Sequence, residues 1–377
     1  MSASTQGGGF PPIFDGHNDT IISLAGEGFD GPGGRSFFER AEKGHIDLPR
    51  ARAGGLGGGF FAVLPRSRKQ RPGEGDPSTA VTAVDVTGRA EKIGTAFDPE
   101  KGWPPPIPLE DAQSDALARL GELIRIAQES NGQCRIIRTA AELQECLDTG
   151  VFAMLLHFEG ADALDPDGYA LEVFYEAGLR SVGITHFRQN AFAAGVPNIF
   201  PGTPDIGEGL TDAGKELIRQ LNRKRVMIDL SHANEKTFWE VAEISDAPLV
   251  ATHSNAWALS NSPRNLLDKQ LDAIRERRGM VGLNFHVGFL RADGAMDPDT
   301  PISTMVDHID YLVERMGIDC VGLGSDFDGA VVPNELKDAA GLPKLMQALR
   351  DRGYDDEALK KLAHGNWVRV LRETWGE

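Results

Sequence analysis

VFAMLLHFE, residues 151–159, is an unbroken apolar run that closes on a carboxylate. A strand covered on both faces carries apolar residues at every position rather than at alternate ones, so this run reads as a buried strand of a parallel sheet. Three later runs have the same form: VMIDLSH closes on His232, PLVATH on His253, and CVGLGSD on Asp326. Near the start, IFDGHND (13–19) offers two ligand-type residues on one strand. Alternate residues of an extended chain face the same side, so His17 and Asp19 point together while Asn18 points away. Side chains at the ends of successive strands converge only if those strands are parallel.

Apolar runs and helical periodicity alternate along the rest of the chain. Strands are expected at 13–17, 57–64, 151–159, 180–186, 225–231, 248–253, 280–286 and 320–325. Eight strands with intervening helices match an α/β fold of the (β/α)8 TIM-barrel type, in which catalytic groups gather at the carboxyl ends of the strands. The chain is expected to form one domain over 1–377. Residues 66–111 form a Pro-, Gly- and charge-rich insertion that contains RKQRPGEGDPS and KGWPPPIPLED, and 336–377 form a helical cap. Between these, LEDAQSDALARLGELIRIAQES (109–130) carries apolar residues at helical spacing. The glycine cluster AGGLGGGFF (53–61) leads into a strand with no helix after it, which fails the context required of a nucleotide loop and favours close backbone packing.

The 377 residues, 41% of them hydrophobic, suffice for a barrel of about 250 residues plus insertions. Fifty-six acidic against 39 basic residues leave a formal charge of −17, which works against nucleic-acid and anionic-membrane partners. The opening MSASTQGGGFPP does not read as a secretory signal, and no apolar run reaches membrane-spanning length. Three scattered cysteines without a CxxC pair favour a reducing compartment, so a cytoplasmic location is expected.

Imidazoles and carboxylates are suited to zinc and related divalent ions. Glu159 is the natural bridge between two such ions, with His17 and Asp19 on one and His232 and His253 on the other. Two ions about 3.5–4 Å apart with open positions generate a nucleophile near neutral pH and polarise a carbonyl. Asp326 is better placed for proton transfer than for structural ligation, and Asp328, two residues on, is its weaker rival.

With those residues in place, the chain resembles the membrane dipeptidases, also called renal dipeptidases, of the amidohydrolase-type barrels. The resemblance rests on DGHNDT, GHIDLPRARAGGLGGGFFAV, HFEG, ITHFRQNAFA, MIDLSHAN, ATHSNAWALSNSPRNLLDKQLDAI, GLNFH, GIDCVGLGSDFDG and HGNWVRV. It implies two Zn2+ per subunit on the same five ligands, with other divalent metals as substitutes, and dipeptide hydrolysis by metal-bridged hydroxide attack. The range to be tested includes dipeptides ending in a D-residue. It also implies that His186 contacts the scissile carbonyl and supports the oxyanion, and that Arg264 binds the dipeptide carboxylate. A homodimer is consistent with such barrels. The terminal motif is HGN where the family usually has GGN, and His364 is expected to be structural. His45 and His157 are expected to pack or support, His286 to line the pocket, and His308, on a helix, to be exposed.

The nearest rival is another amidohydrolase activity, on lactones, amides or phosphotriesters. Such relatives usually carry HxH on the first strand and often a carboxylated lysine as bridge, whereas this chain has HxD and Glu159. A second rival is a metal-binding scaffold without catalysis, against which the joint presence of Asp326, His186 and Arg264 weighs.

Overall fold

The computed structural model describes residues 9–24, 35–66, 103 and 105–376. Most of the expected insertion, 67–102 and 104, lies outside the described residues. The strands are β1 (Ile13–Asn18), β2 (Leu56–Val63), β3 (Cys134–Ile136), β4 (Phe152–Phe158) and β5 (Leu179–Gly183). They continue with β6 (Met227–Asp229), β7 (Val250–Ala251), β8 (Met280–Leu283) and β9 (Val321–Leu323). Every pairing is parallel, in the order β1-β2-β4-β5-β6-β7-β8-β9, and β3, which sequence periodicity misses, pairs with the outside of this path at β4. The last strand returns to the first: Asn18 and Phe327 form a parallel bridge, and the Asp326 amide donates to the His17 carbonyl at 3.0 Å. The eight main strands therefore make a nearly closed barrel.

The apolar runs are continuous because each strand has two dry faces. On β4, Phe152, Met154, Leu156 and Phe158 face the surrounding helices, while Ala153 and Leu155 join Phe14, Phe60, Met227, Val250 and Met280 inside the barrel. Trp367, wholly buried, comes up from the helix Asn366–Trp375 to join this inner cluster. Its indole N–H donates to the Leu323 carbonyl at 3.0 Å, and its ring lies 5.0 Å from that of Phe60. A methyl group at Gly16 would collide with this ring, so β1 can pass over the tryptophan only without a side chain there. Trp367 thus fills the interior on the amino-terminal side of the site residues, and their side chains lie above a dry floor.

The expected helix at 109–130 is present as Leu109–Glu129. At the carboxyl end, helices Leu342–Arg352 and Asp356–Lys360 lead through a π-helical turn, Lys361–Gly365, into Asn366–Trp375. His308, expected to be exposed, is instead 1% exposed on the helix Ile302–Met316. It accepts the Ala256 amide at 3.3 Å on Nδ1 and donates to the Leu290 carbonyl at 2.9 Å from Nε2. Helical periodicity marks one face as inward, but the polar atoms that let a histidine sit there come from other elements, the backbone of Ala256 and of Leu290, 52 and 18 positions away.

Candidate metal centre

Apart from β1, which runs to Asn18 and carries His17 within it, the barrel strands end one to three residues earlier than the apolar runs suggest, so the other site residues ride on the first turns beyond them. Two non-glycine site residues, His232 and Asp326, hold left-handed backbone, with φ of 66° and 58°. Such a conformation is costly for a branched or charged side chain and collects at functional sites, where it aims a side chain that regular strand geometry would turn elsewhere.

Glu159 lies at the centre. Its Oε1 is 3.0 Å from His232 Nε2, 3.5 Å from His253 Nε2, 3.6 Å from His17 Nε2 and 3.9 Å from His186 Nε2. His17 Nε2 is also 3.6 Å from Asp19 Oδ2, and the Nε2 atoms of His232 and His253 are 3.2 Å apart. Donors held tetrahedrally about 2.0–2.1 Å from a zinc-sized ion stand roughly 3.3 Å from one another, the spacing seen here. Three overlapping groups have ligand atoms close enough to share an ion: His17, Glu159 and His253; Glu159, His186 and His232; His17, Asp19 and Asp326. All of these residues are buried, and His17 Nε2 and Asp19 Oδ1 have no hydrogen-bond partner. Buried polar atoms left unpaired at such spacing are what a cation would satisfy.

The electrostatics agree. Burial opposes a charge on His17, but Glu159, Asp19 and Asp326 outweigh it and raise the imidazole pKa to about 10. That negative potential would be answered more fully by a divalent ion than by one proton. Desolvation, followed by the charge of Arg264 at His232, of Arg188 at His186 and of His17 at His253, holds all three well below the ordinary histidine value. Neutral imidazole is the form that ligates a metal.

Asp326 is buried, and burial raises its pKa to about 6 against the pull of His17. Asn284 donates to its Oδ2 at 2.9 Å, accepts the His286 amide at 2.7 Å, and is itself fixed through Asn255. Sequence reasoning passed over Asn284, although its even spacing from inward-facing Gly282 could have placed it on the inner side. Asp328 is occupied elsewhere: it accepts the His45 amide at 2.6 Å and pairs with Arg35 at 3.2 Å, while its own amide donates to His45 Nδ1.

Arg264 is 3% exposed, donates to the His253 carbonyl at 3.1 Å, and lies 5.4 Å from the Phe289 ring centre. Its Nε has no partner, and burial lowers its pKa to about 10 while Asp326 and Glu159 support the charge. Of the remaining histidines, His286 caps the short helix Val287–Leu290 and stacks on Phe289, and His364 holds the Pro12 carbonyl at 2.6 Å. His157 contacts Ser181 Oγ at 2.9 Å and meets the His17 ring edge-on.

A parallel barrel whose carboxyl ends carry histidines and carboxylates around one shared glutamate defines a metal-dependent hydrolase. The model of the membrane dipeptidase family (peptidase family M19) matches residues 10–375, and the chain belongs to that family of metallo-dipeptidases. An uncharacterized protein in the pqqA 5′ region of Klebsiella pneumoniae is 51% identical over 257 residues, covering 68% of this chain and 95% of that protein. Dipeptidase tcpJ of Claviceps purpurea is 29% identical over 337 residues, 88% of this chain and 69% of that one. A metallo peptidase from Rhodobacter sphaeroides, liganded with a phosphinate mimic of the dipeptide L-Ala-D-Ala, superposes with a TM-score of 0.86 at 42% identity, covering 97% of this chain and 100% of that one.

Proposed function

We propose that this dipeptidase is a binuclear zinc enzyme, with His17 and Asp19 on one ion, His232 and His253 on the other, and Glu159 bridging them. The observation that carries the proposal is the convergence of three histidine nitrogens on one oxygen of Glu159, at 3.0–3.6 Å. When bound, the two ions supply a nucleophile at neutral pH and polarise the scissile carbonyl.

The chain's own residues do the rest. His186, kept neutral by burial, donates an N–H to the oxyanion that grows on the substrate carbonyl. Asp326, with a pKa near 6 and one oxygen held by Asn284, takes up the proton released on attack and returns it to the leaving amine. Arg264 presents a buried guanidinium that fits the terminal carboxylate of a dipeptide bidentately. Dipeptides ending in a D-residue fall within the proposed range, supported by the L-Ala-D-Ala mimic held by the Rhodobacter sphaeroides relative.

The whole chain, 1–377, is proposed as a single barrel domain with its insertion at 66–111 and its helical cap at 336–377, working in the cytoplasm as a homodimer. Free, buried Cys134, Cys146 and Cys320 suit a reducing compartment, and among the described residues no helix is long and apolar enough to cross a membrane. The test is a panel of L,L- and L,D-dipeptides, free and carboxyl-amidated, with metal analysis of the same sample. Turnover of free dipeptides with two zinc equivalents per chain is expected. Equal rates on amidated and free peptides would remove Arg264 from the scheme, and a fully active sample with one equivalent would remove the bridge.

A further inference from the structure

The three proposed ligand histidines differ on the side turned away from the metals. Nδ1 of His17 and Nδ1 of His232 have no hydrogen-bond partner. His253 Nδ1 lies 2.8 Å from Thr252 Oγ1, and Thr252 Oγ1 donates to Asp229 Oδ2 at 2.6 Å. The other oxygen of Asp229 accepts the amides of Ser231 at 3.0 Å and Thr252 at 2.8 Å. All three side chains are buried, at 1% exposure or less.

We infer that Asp229 and Thr252 are positioning residues that lock His253 as its Nδ1–H tautomer and so keep the Nε2 lone pair turned toward the metal centre. A hydroxyl has one proton, and a carboxylate only accepts. With its proton given to Asp229, the Thr252 oxygen can only receive a hydrogen bond from His253, and the ring proton must sit on Nδ1. Nε2 is then bare where it stands 3.5 Å from Glu159 Oε1 and 3.2 Å from His232 Nε2. Ligand histidines are commonly oriented by a carboxylate, and here the carboxylate acts through one hydroxyl.

Asp229 also has a purely architectural task. Strands β6 and β7 share a single register pair, Asp229 with Val250, and the bond from the Thr252 amide to Asp229 extends that seam. The hydroxyl of Thr252 adds a side-chain bond across this seam, to Asp229 and near Ser231 Oγ, but the backbone bond from the Thr252 amide remains when the hydroxyl is removed, so the two roles separate by mutation. Thr252→Val removes the hydroxyl at nearly constant shape, and Thr252→Ser keeps it. Asp229→Asn inverts the relay: with its oxygen left on the two amides, its NH2 faces Thr252, whose hydroxyl then donates to His253 Nδ1 and moves the ring proton to Nε2.

This inference rests on the metal assignment proposed above, so the experiment reads both. Nitrogen NMR of the metal-free protein gives the His253 tautomer, chelator competition with Zn2+ alone gives affinity, and thermal unfolding of the metal-free protein reports the seam. The wild type is expected to carry the proton on Nδ1. Thr252→Val should weaken one zinc equivalent about 10–100-fold in a metal-free protein that still folds cooperatively at a lower melting temperature, and Thr252→Ser should restore both. Asp229→Asn should shift the proton to Nε2. A wild-type Nε2–H tautomer overturns the inference, as does unchanged zinc affinity in Thr252→Val, or a Thr252→Ser as weak as Thr252→Val. Failure of the wild type to bind zinc counts against the metal assignment instead, because the tautomer is read without metal.

Discussion

Lowering the pH strips this fold of stability through His308, and the size of the effect follows from its burial. Desolvation, against a weaker pull from the hydrogen bond to Leu290, lowers its pKa from 6.5 to about 4. A histidine whose folded pKa is depressed is neutral in the native state while the unfolded chain already binds a proton, so its contribution is complete above pH 6.5 and is lost as pH falls toward 4. The full shift corresponds to about 3 kcal/mol, of which roughly 2 kcal/mol is lost between about pH 7 and about pH 5. That is a large share of the 5–15 kcal/mol, roughly, that separates a folded domain from its unfolded chain. The assay is urea denaturation of wild type and His308→Gln at both pH values. The other buried histidines titrate in both proteins, so the gap between the two curves isolates residue 308. The wild type should lose roughly 2 kcal/mol more than the variant on acidification; a gap that stays constant within about 0.5 kcal/mol refutes the reasoning. There is a functional corollary: His308 ties Ala256, whose segment leads to Arg264, to Leu290 beyond His286, so mild acid should raise KM before the fold is lost.

Three further outcomes follow from the geometry. Arg264→Lys replaces a fork with a point charge, and kcat/KM for free dipeptides should drop about 10–100-fold while the preference for free over amidated peptides collapses; a preserved preference removes the carboxylate role. Asp326→Asn should lower kcat about 100- to 10,000-fold with metal content unchanged by elemental analysis, whereas an unaltered rate ends the proton-transfer assignment. Trp367→Ala should cost about 3–5 kcal/mol by denaturant titration, with Trp367→Phe recovering most of it, because the ring fills the barrel floor and Gly16 leaves room for it; a loss under about 1 kcal/mol would show that the floor refills from elsewhere.

The barrel was legible because a strand buried on both faces advertises itself as an unbroken apolar run, and the ligand-type residue at the end of the run marks the mouth. That logic reaches His17, Glu159, His232, His253 and Asp326 without any knowledge of contacts. It overruns the strands: PLVATH reads as six residues, while β7 is only Val250–Ala251, because the Thr252 and His253 amides bond to the side chains of Asp229 and Ser231 instead of to the β6 backbone. It misses β3, whose three residues are too few to show a period, and it cannot bring Trp367 under Gly16 from 351 positions away.

Acids inside the apolar runs carried more information than their local pattern could release. A carboxylate within a dry strand must find donors there, so Asp15 in IFDGHND and Asp229 in VMIDLSH announce buried partners without naming them. In the fold the two do the same thing. Asp15 accepts the amide and hydroxyl of Ser325, at 2.6 and 2.7 Å, immediately before Asp326, and Asp229 accepts the amide and hydroxyl of Thr252 immediately before His253. Each buried acid grips the neighbouring chain one residue short of a site residue, just beyond the last residue of β7 or β9. The last turn of strand before the chemistry is therefore held by side-chain carboxylates. Which hydroxyl each one finds is decided only when the strands have taken their register around the barrel.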